Sequence, residues 1–299
     1  MNKRNYRRFF NSLGRILFFA LPAILLINII LPDRSFSEKE NRVLSSFPAL
    51  SVSALSSGRA ASQMDNYVND QFFLRDFWVT MKANVDRLMG KVKLNGVYLG
   101  KSGYLMESFT VPSDKFMEGI SNALTSFAAA HPDLTQYMLL APTSVNILRS
   151  HLPAAAQEAD QNLYIDAIKN TVESAGMSFI DVRDTFYNHI DEPLYYKTDH
   201  HWTTQGAYYA YLASAATMHL ETTLVTYEKL PASKSFQGTL SAKSGFRSNA
   251  IEELDVFLPK ANTGYHSIVN YVDEREKVAS FYASEKLSTR DKYGMFLNG

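Results

Sequence analysis

The stretch Tyr195-Tyr196-Lys197-Thr198-Asp199-His200-His201-Trp202-Thr203-Thr204 concentrates reactive side chains, with two of the seven histidines and one of the two tryptophans. Asp199 and His201 stand two positions apart. In an extended or turn backbone, side chains at i and i+2 project to one side. Asp199 can then accept a hydrogen bond from one imidazole nitrogen and leave the other nitrogen free to take a proton from a hydroxyl. That is the orienter-and-base half of a Ser-His-Asp triad. An imidazole, with an unperturbed pKa near ~6.5, suits such work at neutral pH. Thr203 or Thr204 is placed to cap a following helix, whose positive end favours a nearby carboxylate. Two other readings use the same residues. Asp-x-His pairs also occur as capping or surface residues, and Asp199, His200 and His201 are all competent metal ligands. Adjacent histidines seldom converge on one ion without ligands from elsewhere, so neither a metal nor another cofactor is expected.

A triad also needs a nucleophile. The sequence has no Gly-x-Ser-x-Gly elbow and no Asp-Ser dipeptide. Ser144, just past an apolar run ending at Ala141, is the one local serine in a plausible position, and it is not the favoured one.

Other segments accompany the motif: Ser37-Glu38-Lys39-Glu40-Asn41-Arg42, Asp70-Gln71-Phe72-Phe73-Leu74-Arg75-Asp76, Asn95-Gly96-Val97-Tyr98-Leu99-Gly100, Phe236-Gln237-Gly238-Thr239-Leu240 and Lys292-Tyr293-Gly294. Together with Asp199-His200-His201-Trp202 they resemble the DHHW protein family over nearly everything after the N-terminal apolar segment. That family is similar to the SGNH-hydrolase-like proteins of alginate O-acetylation, whose Asp-x-His-Trp motif carries a catalytic Asp and His. The resemblance implies that Asp199 is the orienter and His201 the catalytic base. His200 falls in the variable position. With Thr198 and Trp202 it is assigned to substrate binding or support, Trp202 packing under the site.

The resemblance further implies a nucleophilic serine after the motif, in an Asp-Ser context following a hydrophobic strand. Relatives continue past Phe296-Leu297-Asn298-Gly299. The last strand-turn-helix units are therefore expected to be missing, the nucleophile to lie beyond Gly299, and residues 1–299 alone to be inactive on acetyl esters. The implied chemistry is O-acetyl transfer to, or removal from, a cell-envelope polysaccharide, with an acyl-donor membrane protein as a second partner. The alternative is a non-catalytic envelope binding or assembly protein with the same fold.

The bulk of the chain is compatible with this. Apolar residues make up 46% and charged residues 20% of 299, and the formal net charge is zero. A nucleic-acid partner, which needs a basic face, is not expected. Without cysteine, disulfides and thiolate chemistry are excluded. Lys3, Arg4, Arg7, Arg8 and Arg15 precede an apolar run, Ile16 to Leu31, interrupted by Pro22 and Asn28. That pattern reads as a single transmembrane helix with a cytoplasmic N-terminus and an exported remainder. No small-x-small site follows, which favours an uncleaved signal anchor over a cleaved signal peptide. The expected organisation is a basic tail and anchor over 1–32, a stalk over 33–58 and an SGNH-like domain over 59–299.

Within that domain, Ala60 to Met89 reads as one helix closed by Gly90, and 94–106 as a β-hairpin turning at Lys101-Ser102-Gly103. Ser113 caps a helix with Phe116, Ile120, Leu124 and Phe127 on one stripe, stopped at His131-Pro132. Gln136 to Ala141 and Met177 to Val182 read as buried parallel strands. A helix carrying Leu163, Ala167, Ile168 and Val172 runs between them to Gly176. Another helix covers 204–219, and 224–299 reads as turns and short strands. The alternation predicts an α/β class, a three-layer α/β/α domain with a mostly parallel sheet, and sites beyond the carboxyl ends of its strands.

Overall fold

The computed structural model describes residues 3–37, 42–49, 51–222, 226–246, 250–260, 269–271, 275–278, 280–289 and 291–297. The chain divides into two compact units, Met1–Lys82 and Ala83–Gly299.

The first unit begins with helix α1 (Lys3–Ile30), which contains Pro22. Its stretch Phe9–Ile30, with a mean hydropathy of 2.3, is long and apolar enough to cross a membrane. Strands β1 (Phe36–Ser37) and β2 (Arg42–Val43) pair antiparallel, and helix α2 (Val52–Ser56) is capped by the Ser51 hydroxyl. The single helix expected over Ala60 to Met89 is two helices, α3 (Arg59–Gln71) and α4 (Arg75–Leu88). The break has a physical cause: the groups around it bond outside the helix. The Gln71 amide donates to the carbonyls of Arg34 and Ser45, and Asp70 accepts from the Ser45 amide. The Phe73 N–H donates to Asn28 Oδ1 at 2.7 Å, and Leu74 adopts φ +55°.

In the second unit, α4 ends as expected at Gly90. The Gly90 N–H donates to Arg87 and the Lys91 N–H to Asp86, a Schellman closure that the φ of +83° at Gly90 makes possible. The region 94–106 is a three-stranded meander rather than one hairpin. Strands β3 (Lys93–Leu94), β4 (Val97–Leu99) and β5 (Leu105–Glu107) pair antiparallel in order. Asn95 and Gly96, both at positive φ, make the first turn, and Lys101–Gly103 makes the second.

Helix α5 (Asp114–Ala130) is capped by Ser113, whose hydroxyl accepts from the Phe116 N–H. Strand β6 (Tyr137–Leu139), helix α6 (Ser144–Ile147), helix α7 (Asn162–Ser174), strand β7 (Ser178–Ile180) and helix α8 (Arg183–Asn188) follow. β6 and β7 pair in parallel across the α7 crossover. Their alternating side chains face two cores. Met138 and Phe179 join Ile168 and Val172 beneath α5 and α7, while Tyr137, Leu139 and Ile180 join Val145, Phe186, Leu194 and Ala210 on the other side. These are the layers of an α/β/α arrangement. The two strands are half-buried rather than fully buried, and the other ladders among the described residues are antiparallel.

Helix α9 (Thr204–Thr217) leads into strand β8 (Tyr227–Phe236), helix α10 (Thr239–Ser244) and strand β9 (Glu252–Pro259). β8 and β9 run ten and eight residues, not the short strands expected. Two register shifts around Ser233 and the proline in β8 hide the alternation that would reveal them. Strands β10 (Val269–Tyr271) and β11 (Glu276–Val278) pair with each other, and a short 3-10 turn covers Lys292–Met295.

Candidate active site

The segment 194–203 is a closed loop. Tyr195 bridges to Trp202, the Thr203 N–H donates to Leu194 and the Tyr196 N–H to His201. Its base is anchored by Tyr195, buried with its hydroxyl donating to the Pro142 carbonyl at 2.7 Å. Thr203, not Thr204, caps α9, its Oγ1 accepting from the Gly206 N–H at 3.1 Å. Thr204 instead donates to the Asp255 carbonyl.

Asp199 lies at the centre of the loop, 1% exposed. Its Oδ1 accepts from the His201 N–H at 3.1 Å, an Asx-type turn, and stands 2.5 Å from His201 Nδ1. Its Oδ2 accepts from the Thr239 N–H at 2.8 Å and from the Thr239 hydroxyl at 3.3 Å. Burial pushes the Asp199 carboxyl upward, but the hydrogen bonds from His201 and from the Thr239 amide outweigh it, so the group titrates below the usual carboxylate range. Asp199 is therefore an acceptor at neutral pH. The proton of the short bond belongs to His201 Nδ1, and in the neutral imidazole Nε2 is left as an acceptor.

His200 is half-exposed. Its Nδ1 lies 3.4 Å from Asp199 Oδ1 and 3.4 Å from Thr239 Oγ1. Burial and then the neighbouring His201 hold its pKa below the usual histidine value. Asp199, His200 and His201 place one ligand atom each within a 4.8 Å cluster. The 2.5 Å separation of Asp199 Oδ1 and His201 Nδ1 suits a hydrogen bond rather than two ligands of one ion, each of which would need its own bond of about 2.0–2.2 Å.

Thr198 is fully buried and supports the loop. Its hydroxyl donates to Glu252 Oε2 at 2.9 Å and accepts from the Gly238 N–H at 2.8 Å. Glu252 also accepts from the Lys197 and Thr198 N–H groups at 2.6 and 3.0 Å. The β8–β9 register pairs Phe236 with Glu252, which sets Gly238 and Glu252 on either side of Thr198. Burial pushes the Glu252 carboxyl above its usual range against these hydrogen bonds. Trp202 packs edge-on against Phe186, ring centroids 5.2 Å apart. Tyr293 stacks on His201, centroids 4.0 Å apart at 11°.

Residues 118–257 match the family model described as the SGNH hydrolase-like domain of acetyltransferase AlgX. Residues 118–257 thus resemble an SGNH hydrolase-like domain. A DHHW family protein from Eubacterium siraeum shares the fold at 18% identity and a TM-score of 0.54, over 70% of this chain and 69% of that one. Bacillus cereus PatB1, in a structure with a sulfonyl adduct, is 17% identical with a TM-score of 0.49 over 70% and 72%. The O-acetyltransferase domain of Pseudomonas putida AlgJ is 17% identical with a TM-score of 0.43 over 56% and 66%. No curated protein matches the chain. The family model and the DHHW-protein structure bear out the expected SGNH-like α/β class and the resemblance to DHHW and alginate-acetylation proteins, while among the described residues one ladder is parallel and the others are antiparallel.

The fold brings Asp199, His201, His200, Thr198 and Trp202 to one loop. Ser144 sits buried at the start of α6, and among the described residues no serine hydroxyl hydrogen-bonds to His201. Sequence reasoning missed Gly238, Thr239, Glu252 and Tyr293 as parts of the site. The motifs Phe236-Leu240 and Lys292-Gly294 were available as signals for three of them. Nothing marks Glu252.

Proposed function

We propose that this protein is an extracytoplasmic, membrane-anchored enzyme that transfers O-acetyl groups on a cell-envelope polysaccharide. The observation that carries the reading is the short bond between His201 Nδ1 and the buried Asp199 carboxylate, which leaves Nε2 as the base. The match to a domain described by an acetyltransferase supports the acyl chemistry, and α1 supports the anchor.

In this mechanism the nucleophile is a serine from outside the described residues. Its oxygen bonds to the acetyl carbonyl carbon as its proton passes to His201 Nε2. The donor alkoxide leaves and takes that proton. A sugar hydroxyl then attacks the acetyl-serine, giving its proton to His201, and the serine oxygen recovers it. Asp199 stabilises the imidazolium at each stage. Thr198 holds the loop, while His200 and Trp202 flank the reacting groups.

The test uses protein expressed from the complete gene, an acetyl ester donor and a glycan acceptor. Acetylated acceptor should form, and His201→Ala should lower the rate by about 10³-fold or more. Absence of transfer would favour a non-catalytic envelope protein instead, and transfer unchanged by His201→Ala would overturn the assignment of His201 as the base.

A further inference from the structure

A cavity of about 480 Å³ opens in the second unit beside the Asp199-His201 pair, within the ~300–1,000 Å³ of small-molecule sites. Its walls are Trp202, Tyr208, Tyr211, Tyr227, Phe257 and Tyr293, with Ala207 the one aliphatic residue. It is continuous with the loop above: Trp202 follows His201 in sequence, and Tyr293 both lines the cavity and stacks on the His201 ring.

The lining chemistry narrows the occupant. No lining residue is charged, so a carboxylated sugar would be desolvated without a cation to meet it. An acyl chain would be matched by aliphatic walls, which are missing here. Flat aromatic faces with hydroxyls at their edges suit a ligand that is apolar on its face and polar on its rim. Tyr208 and Tyr211 present such hydroxyls, with no hydrogen bond among the described residues, and Tyr211 is 42% exposed. The Thr203 and Thr204 hydroxyls are already committed to the carbonyls of Pro193 and Asp255.

We propose that this cleft is an acceptor subsite that stacks an uncharged pyranose unit on Tyr211 and its aromatic neighbours and delivers a ring hydroxyl towards His201. The proposal rests on the acetyl-transfer reading and supplies its acceptor class, a neutral glycan rather than a polyuronate.

The test places the full chain, carrying Trp78→Phe so that Trp202 is the reporter, in lipid nanodiscs. Its fluorescence is titrated with cellohexaose, hexa-galacturonate and hexanoate. Cellohexaose should give a saturable shift. Tyr211→Ala should weaken it about tenfold, and Tyr211→Phe, which keeps the stacking face, should leave affinity within about twofold. No saturable shift, equal affinity in Tyr211→Ala, or tighter binding of hexa-galacturonate or hexanoate would overturn the proposal. The transfer assay on protein from the complete gene separates the two readings. Cellohexaose binding that survives while acetyl transfer is absent in the unsubstituted protein would sink the transferase and leave the sugar site standing.

Discussion

Gly238 and Asp199 are in contact so close that no side chain fits between them: a Cβ on Gly238 would lie 2.2 Å from Asp199 Oδ2 and 2.3 Å from its Cβ. The φ of −83° at Gly238 suits any residue, so the glycine is required for space rather than for backbone freedom. Its close approach brings the Thr239 N–H onto Oδ2. Gly238→Ala should push the carboxylate or the Thr239 turn aside, costing about 1–3 kcal/mol of stability as an overpacked buried contact. Acetyl transfer should fall by a larger factor than the stability loss explains, because the Asp199-His201 bond is displaced. Parallel urea melts and transfer assays check this. An alanine variant with unchanged activity would show that Oδ2 need not be held.

Thr198 joins the two carboxylate systems through one hydroxyl, which donates to Glu252 and accepts from Gly238. Thr198→Val keeps the shape but strands the Gly238 N–H and removes one donor from Glu252. Such a buried loss costs about 1–3 kcal/mol. Thr198→Ser keeps both hydrogen bonds and loses only a methyl group, about 0.5–1.5 kcal/mol. Equilibrium unfolding should therefore order the proteins as wild type, Ser, Val. A valine variant as stable as the serine variant would refute the bridging role.

The contrast between Asp199 and Glu252 shows what the sequence discloses and what it hides. Asp199 and His201 are legible because their two-residue spacing brings them together locally, through an Asx turn that any reader of the motif can draw. Glu252 reaches the same loop from 54 residues away, and only the β8–β9 register, with its shifts at Ser233, decides that it arrives there. The helices α5, α7 and α9 were readable from caps and apolar spacing. The break between α3 and α4 was not, because it is made by Asn28 and Gln71 bonding across tens of residues. The parallel pair was legible as two apolar runs flanking a helix, but their half-burial depends on which neighbours cover them.

The apolar stretch of α1 predicts membrane retention. Phe9–Ile30 is 22 residues, enough to span ~30 Å of hydrocarbon at ~1.5 Å per residue. The protein should stay in the membrane fraction after alkaline carbonate extraction. Replacing Ile16, Leu25 and Ile29 with Asp should release it, since each charge at mid-membrane costs roughly 2.5–3.5 kcal/mol. Release of the unsubstituted protein by carbonate would refute the anchor.

Asp199 predicts a pH dependence of known sign. Hydrogen bonds from His201 and Thr239 more than offset its burial and keep its folded-state pKa below the unfolded value of about 3.9. A depressed carboxyl stabilises the fold in full above the unfolded pKa and loses that contribution as pH falls through the folded one. Asp199→Asn removes the titration. The stability gap between wild type and Asp199→Asn should therefore shrink as pH falls below about 4. Glu252 titrates in the opposite sense, its raised carboxyl contributing most below its unfolded pKa of about 4.3 and losing that contribution as pH rises through the folded value. It is present in both proteins, so its effect cancels in the difference. The asparagine also changes the chemistry. With its oxygen on the Thr239 N–H, its amide N–H faces His201 Nδ1, which must then accept, moving the imidazole proton to Nε2 and removing the base. Transfer should drop by about 10⁴-fold, as for a triad with the wrong tautomer. Denaturant melts of both proteins from pH 7 to 2.5 read the first effect and acetyl-transfer rates at pH 7 the second. A gap that widens as pH falls below about 4 would show that Asp199 is not held as the carboxylate.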